Sequence, residues 1–180
     1  MTIRVTRFVV GAALTLAVPG AAQRAGSIEA GAFARYTRFD NSLGVGSAIG
    51  GGGRLAVFLQ PDLALEVDLA RTSSDRPGGA ALTHSPLHAR LTYVYQTSGS
   101  ARADVLVGLG LVRNKYSGAY TATDHGLAVL LGLRYRWNGR FGLRLDANED
   151  FVTSPANETP QVTYNSNFGL HVGLSVLLKP

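Results

Sequence analysis

The side chains of this sequence that could do chemistry are few, and their spacing argues against most of it. A serine nucleophile needs its histidine base at ~3 Å, whereas His171 and Ser175 share a face of one alternating segment and stand ~13 Å apart along it. They form no dyad on one strand. His84, His88, His125 and His171 have no metal-ligand spacing, so no metal is expected, and a lone inward histidine is more often a hydrogen-bonded filler than a ligand. Gly44-Val45-Gly46 has the start of a dinucleotide loop, yet nothing helical follows and the third glycine is misplaced, so no cofactor is expected either. The absence of cysteine excludes a disulfide framework, a thiolate metal site, a cysteine nucleophile and a lipidated N-terminal cysteine.

Charge is more informative. Arg54, then Glu66 and Asp68, then Arg90, then Asp104, then Arg134 and Arg136, then Arg144 with Asp146 alternate in sign from one segment to the next. Each sits in the polar phase of an alternating run, so neighbouring segments pair by sign if they lie side by side in chain order. A three-residue turn at Pro61 would set Leu59 opposite Leu63 and therefore Arg54 opposite Asp68. The expected result is an interior network of salt bridges; a hydrated channel lined by the same charges is the alternative.

The elements that must position these charges are strands. From Gly126 to Asp150, Leu127, Val129, Leu131, Leu133, Tyr135 and Trp137 alternate with Ala128, Gly132, Arg134 and Arg136, Leu130 being the exception. Asn138-Gly139 then turns the chain, and Phe141, Leu143 and Leu145 resume against Arg144, Asp146, Asn148 and Asp150. Period two with an Asn-Gly turn predicts a β-hairpin. The run Leu127 to Trp137, tilted ~40°, covers about 28 Å, close to the ~25 Å apolar band of a membrane barrel and longer than the usual ~5–6-residue soluble strand.

The same alternation recurs along the chain. Strands are expected from Ser27 to Thr37, Gly50 to Leu59, Leu63 to Arg71, Leu87 to Tyr95, Ala103 to Lys115, twice in the hairpin, and from Asn167 to Lys179. The connections read long, short, long, short, long, short, long, with Asp40 to Ala48, Ser73 to Pro86, Ser117 to Asp124 and Pro155 to Asn165 as the long ones. That rhythm suits an up-and-down barrel with both ends on one side. Tyr93, Tyr95, Tyr135, Trp137 and Phe141 crowd the short turns, while Tyr36, Phe151 and Phe168 lie near the long loops, all outward, as two aromatic girdles require.

At 180 residues the chain is one domain's worth. Arg4 and Arg7, an apolar core from Phe8 to Val18 and Gly20-Ala21-Ala22 read as a signal peptide over residues 1–22, leaving a barrel domain over 23–180. The formal charge of +5 includes both leader arginines and falls to +3 without them, too mild to suggest nucleic acid. Beyond the leader no apolar run approaches ~20 residues, so a mature chain that spans a membrane must do so as a closed barrel.

Gly53-Arg54-Leu55, Pro61 and Leu63-Ala64-Leu65-Glu66-Val67-Asp68 resemble the second hairpin of the small OmpA/OmpX-like outer-membrane β-barrel family, and the layout is similar from about Ser27 onward. His171-Val172-Gly173-Leu174-Ser175-Val176-Leu177-Leu178 resembles the assembly signal of such barrels, with Lys179-Pro180 where an aromatic residue would end it. The resemblance implies an all-β, eight-stranded, antiparallel, up-and-down transmembrane barrel in the bacterial outer membrane. Implied partners are outer-membrane lipid and lipopolysaccharide, and the barrel-assembly machinery and periplasmic chaperones during biogenesis, the barrel itself being monomeric. Small barrels that deacylate lipid A use a closely spaced serine and histidine, a spacing missing here.

The expectation is a non-enzymatic barrel with a structural or surface-interaction role. A small pore, a lipid A-modifying enzyme and a soluble lipocalin-like barrel remain as alternatives. Outward parity carried past the apolar runs places Arg38, Arg71, Arg113 and Lys115 at the end with the long loops, where they could form a belt for lipopolysaccharide phosphates or snorkel to solvent.

Overall fold

The computed structural model describes residues 23–75, 79–96, 102–137, 139–153 and 164–179. The expected leader, Asn138 of the hairpin turn and most of the connection expected at 155–165 lie outside the described residues. Alternation produces eight strands: β1 (Ile28–Arg38), β2 (Ala48–Gln60), β3 (Leu63–Ser74), β4 (Leu82–Gln96), β5 (Ala103–Gly118), β6 (Ala122–Arg136), β7 (Phe141–Thr153) and β8 (Tyr164–Lys179). Each pairs antiparallel with the next, and β8 returns to β1, so the barrel closes without a free edge.

Register fixes the geometry. Stepping between paired residues from Thr72, β5 is reached at Tyr116 through His84, and at Leu106 through Gly50, Arg35, His171, Asp146 and Gly132. That stagger of ten residues over eight strands means ~33 Å of slip per ~38 Å of circumference, a tilt of ~40°. Corrected for tilt, the outward aromatics form two rings about 22 Å apart, near the ~25 Å of an apolar membrane band.

Between the rings, large apolar side chains point away from the barrel: Leu109 and Leu131 are each 61% exposed and Leu111 is 64% exposed. Continuous exposure of this kind is tolerated in lipid, not water. Gly50 and Gly52 of β2 reflect crowding on the other side: a Cβ on Gly52 would meet the Leu69 carbonyl oxygen at 2.4 Å and the Phe33 ring at 2.6 Å.

The structure differs from the sequence expectation at three connections. Strand β4 begins at Leu82, not after Pro86; Pro86 sits within it opposite Asn114, and its missing N–H falls where pairing with β3 lapses between Leu87 and His84. The connection expected from Ser117 to Asp124 shrinks to residues 119–121, because Gly118 takes a φ of +107° and turns the chain while Thr123 keeps the alternation going. Connection lengths therefore do not alternate strictly. At Pro61, Gln60 rather than Leu59 stands opposite Leu63, a bulge that leaves Arg54 opposite Asp68.

The interior also differs from a polar network running its full length. Ala56, Phe58, Ala64, Val94, Leu106 and Leu130 form an apolar cluster toward the short turns, and Phe39, Leu43, Leu82, Tyr116 and Ala122 form another under the long connections. Alternation assigns a residue to the inner face, but toward each end part of that face carries apolar side chains.

Candidate functional site

Two features remain as candidates for function: the buried charge network and the cationic outer rim. Side chains of the inward phase meet across a lumen narrow enough for arginine arms to span. Arg144 reaches Glu66 through Nη1 at 2.6 Å and Asp146 through Nε at 2.8 Å, and all three are nearly sealed from solvent. Arg90 donates to Asp68, to Glu66 at 3.1 Å and to Asn148 at 2.9 Å. His88 lies between Asp68 and Asp150, with each ring nitrogen 2.8 Å from a carboxylate oxygen. Arg35 stands 3.7 Å from Asp150.

Toward the short turns, Arg134 bridges Glu29 and Asp104, and Arg136, its side chain 32% exposed, also reaches Asp104 at 3.0 Å. A recess opens there, with Gln23, Glu29, Arg134 and Phe141 in its wall.

All nine expected lumen charges, Arg54, Glu66, Asp68, Arg90, Asp104, Arg134, Arg136, Arg144 and Asp146, therefore lie on the inner face. The expected pairing of Arg54 with Asp68 does not form. Arg54 is opposite Asp68 in the sheet, but its guanidinium passes over the Phe33 ring, 4.8 Å from the centroid, and crosses the lumen to Asp146. Strand pairing names nearest neighbours, whereas a long side chain in a narrow barrel reaches farther. Glu29, Arg35, His88, Asn148 and Asp150 join the network without having been singled out; inward parity was the available signal for each. His171 stacks on Phe33 with centroids 4.3 Å apart and bonds Asn148, in the filler role expected of it.

Above the lumen, the first connection folds inward. Asp40 caps the short 3₁₀ turn Asn41–Leu43 by accepting from the Ser42 amide at 2.8 Å, and its second oxygen accepts from the Ser166 amide at 3.0 Å. Leu43, only 2% exposed, is thereby pressed into the upper apolar cluster. Burial would raise the Asp40 pKa, but the hydrogen bonds from Ser42 and Ser166 outweigh it and hold the carboxyl below its ordinary value.

At the outer rim, Arg38, Arg71, Arg113 and Lys115 are all exposed and outward. Corrected for tilt, they fall within about 6 Å of one height. Register brings three of them together. Lys115 is opposite Ser85, which continues the row of Arg71, and Arg113 is one outward position below Lys115. Arg38 stands apart, its guanidinium 5.8 Å over the Phe168 ring.

Residues 8–175 match the family described as outer membrane protein beta-barrel domain. The chain belongs to that family. Its place is accordingly the bacterial outer membrane. Among solved structures, Neisserial surface protein A is 21% identical, covering 84% of this chain and 97% of its own, with a TM-score of 0.66. The outer membrane protein OprG from Pseudomonas aeruginosa is 14% identical over 88% of this chain and 98% of its own, with a TM-score of 0.61. AlkL, an outer membrane protein determined in lipid bilayers, is 20% identical over 93% of this chain and 97% of its own, at 0.58. No curated protein matches the chain. At these identities the structural neighbours speak for the fold alone.

Proposed function

We propose that this chain is a non-enzymatic, non-conducting outer-membrane barrel with a structural or surface-interaction role, its interior a salt-bridged plug and its rim, at Arg38, Arg71, Arg113 and Lys115, in contact with lipopolysaccharide. The observation that carries the reading is the charge balance of the sealed lumen. Arg35, Arg54, Arg90, Arg134, Arg136 and Arg144 face Glu29, Glu66, Asp68, Asp104, Asp124, Asp146 and Asp150, six guanidinium groups against seven carboxylates among the described residues, with His88 between two of the carboxylates. A conducting lumen keeps its charges hydrated and carries an excess of one sign to select ions. Here the charges nearly balance, one apolar cluster lies under the long connections, and another lies beside the Arg134 ion pairs toward the short turns.

Ester hydrolysis finds little support, since buried His171 stacks on Phe33 and Ser175 lies four residues farther along the same strand. Passage through the periplasm with chaperones, insertion by the assembly machinery and a monomeric final state belong to the same reading. Planar-bilayer recording tests it. No unitary conductance and no acyl release from lipopolysaccharide are expected; stepwise conductance would establish the pore instead, and released acyl chains the enzyme.

A further inference from the structure

We propose that the opening at the short-turn end of the barrel docks an acidic peptide segment of a periplasmic protein, its carboxylates taken by an arc of arginines over β5 to β7. In an outer-membrane barrel the short turns face the periplasm, so this end meets water and its solutes. Its charge is one-sided. Arg24, Arg102, Arg134, Arg136, Arg140 and Lys179 stand against Glu29, Asp62 and Asp104, six cations less three carboxylates or a net of +3 among the described residues.

Register turns three of these cations over the opening. The Arg102 carbonyl accepts from the Arg136 amide at 2.7 Å, and the Arg140 carbonyl accepts from the Leu177 amide at 2.7 Å, so each is paired across the sheet. Paired residues point to the same side, and Arg136 and Leu177 both belong to the inner face. The guanidinium groups therefore overhang the mouth instead of the lipid, which argues against an inner-leaflet phosphate as their counter-charge. Arg102 and Arg136 are ~5 Å apart between Cα atoms, and Arg140 lies two residues from Gly142, the partner of Arg136, which puts it ~8 Å from Arg136. Arg24 adds a fourth charge beside Gln23, whose carboxamide oxygen accepts from Arg134 at 2.7 Å. Carboxylates on alternate residues of an extended peptide are ~7 Å apart, a spacing this arc can meet with arginine forks.

Within the arc, Arg134, Arg136 and Arg140 share the wall of the recess with Glu29 and Ser175. Glu29, 4% exposed, gives one oxygen to Arg134, and its other oxygen has no hydrogen-bond partner among the described residues. The recess thus calls for anions beside its arginines and for an N–H donor at Glu29. A peptide brings both, in its side-chain carboxylates and its backbone amides, whereas inorganic phosphate brings only acceptors. A cell-wall stem peptide also carries amides, but it gathers few carboxylates at one point, and an arc from Arg24 past Arg140 to Arg102 asks for a run of them. Across the mouth, Gln60, Asp62 and Gln96 offer no cation, so the segment lies along one side of the opening.

The test uses the barrel in nanodiscs of neutral phosphatidylcholine, titrated with a fluorescent peptide of about eight residues that alternates glutamate with serine, ~26 Å when extended. The Arg102→Gln, Arg140→Gln double variant is expected to lose at least about tenfold in affinity, while Arg102→Lys, Arg140→Lys stays within about threefold of wild type. The same peptide with glutamine in place of glutamate should bind the wild type as weakly as the acidic peptide binds the double glutamine variant. Arg71→Gln, at the opposite end, should stay within about twofold. Retained affinity in the double glutamine variant, equal binding of the neutral peptide, or an equal loss in Arg71→Gln would each overturn the site. Soluble muropeptides, and phosphatidylglycerol added to the nanodisc, should not displace the acidic peptide. Displacement by either would overturn the assignment, in favour of the cell wall or of the inner leaflet.

Discussion

At the scale of single residues, stability rests on charges that cannot be left alone. Arg54 and Asp146 are both nearly sealed, and removing Asp146 strands Arg54 at about 3–5 kcal/mol, whereas removing Arg54 leaves Asp146 its bond from Arg144 and costs less. Arg54→Met and Asp146→Ala should each lower stability in denaturant titrations, with the double variant much less damaged than the sum. Coupling between Arg54 and its sheet neighbour Asp68 should be smaller than that between Arg54 and Asp146. The reverse order would restore the nearest-neighbour pairing that the sequence suggests. The inner face was legible in the sequence because period-two parity alone assigns it. The partners were not, because arginine arms cross the lumen and the stagger that decides whom they meet depends on all eight registers at once. His88 illustrates the limit: its inward phase is plain, but the carboxylates on its two sides come from β3 and β7.

At the scale of elements, each strand presents one face to lipid and one to a packed interior, and Leu130 with Leu131 samples both. Leu130 is 2% exposed within the lower apolar cluster, so Leu130→Ala removes packed volume and should cost about 2–5 kcal/mol. Leu131→Ala, on the 61% exposed side, should cost much less, while Leu131→Arg should impair bilayer insertion by about 2–4 kcal/mol. Equal costs for the two alanine variants in lipid vesicles would mean that the faces are not so divided. The first connection is a second element with its own sensitivity. Because hydrogen bonds hold the Asp40 carboxyl below its ordinary value, the stability it contributes is present above that ordinary value and fades as pH falls through the lowered one. Asp40→Asn should therefore loosen the Asn41–Leu43 turn at neutral pH, read as faster amide exchange at Ser42 and Ser166, and should flatten the acid dependence of that exchange between neutral pH and pH ~3. An unchanged acid dependence in the variant would remove Asp40 as the latch. Strand positions were legible to within a few residues, yet the reach of β5 and β6 beyond the membrane was not, since Ser117 and Thr123 read equally well as loop and as the polar ends of long strands.

At the scale of the whole molecule, closure makes the rest possible. Eight strands with a stagger of ten leave an interior that side chains can fill, and the filling here combines nearly balanced charges with an apolar cluster toward each end. The outer surface is divided by height, with leucines and valines between two aromatic rings and cations at the upper edge. Solvent exclusion from the lumen is the central claim, and proton exchange at the arginine Nε–H groups measures it most directly. In the folded barrel at one pH, the Nε–H protons of Arg90, Arg134 and Arg144 are expected to exchange far more slowly than those of Arg38, Arg71 and Arg113 on the rim. Exchange at equal rates inside and outside would mean a hydrated lumen and would contradict the sealed plug.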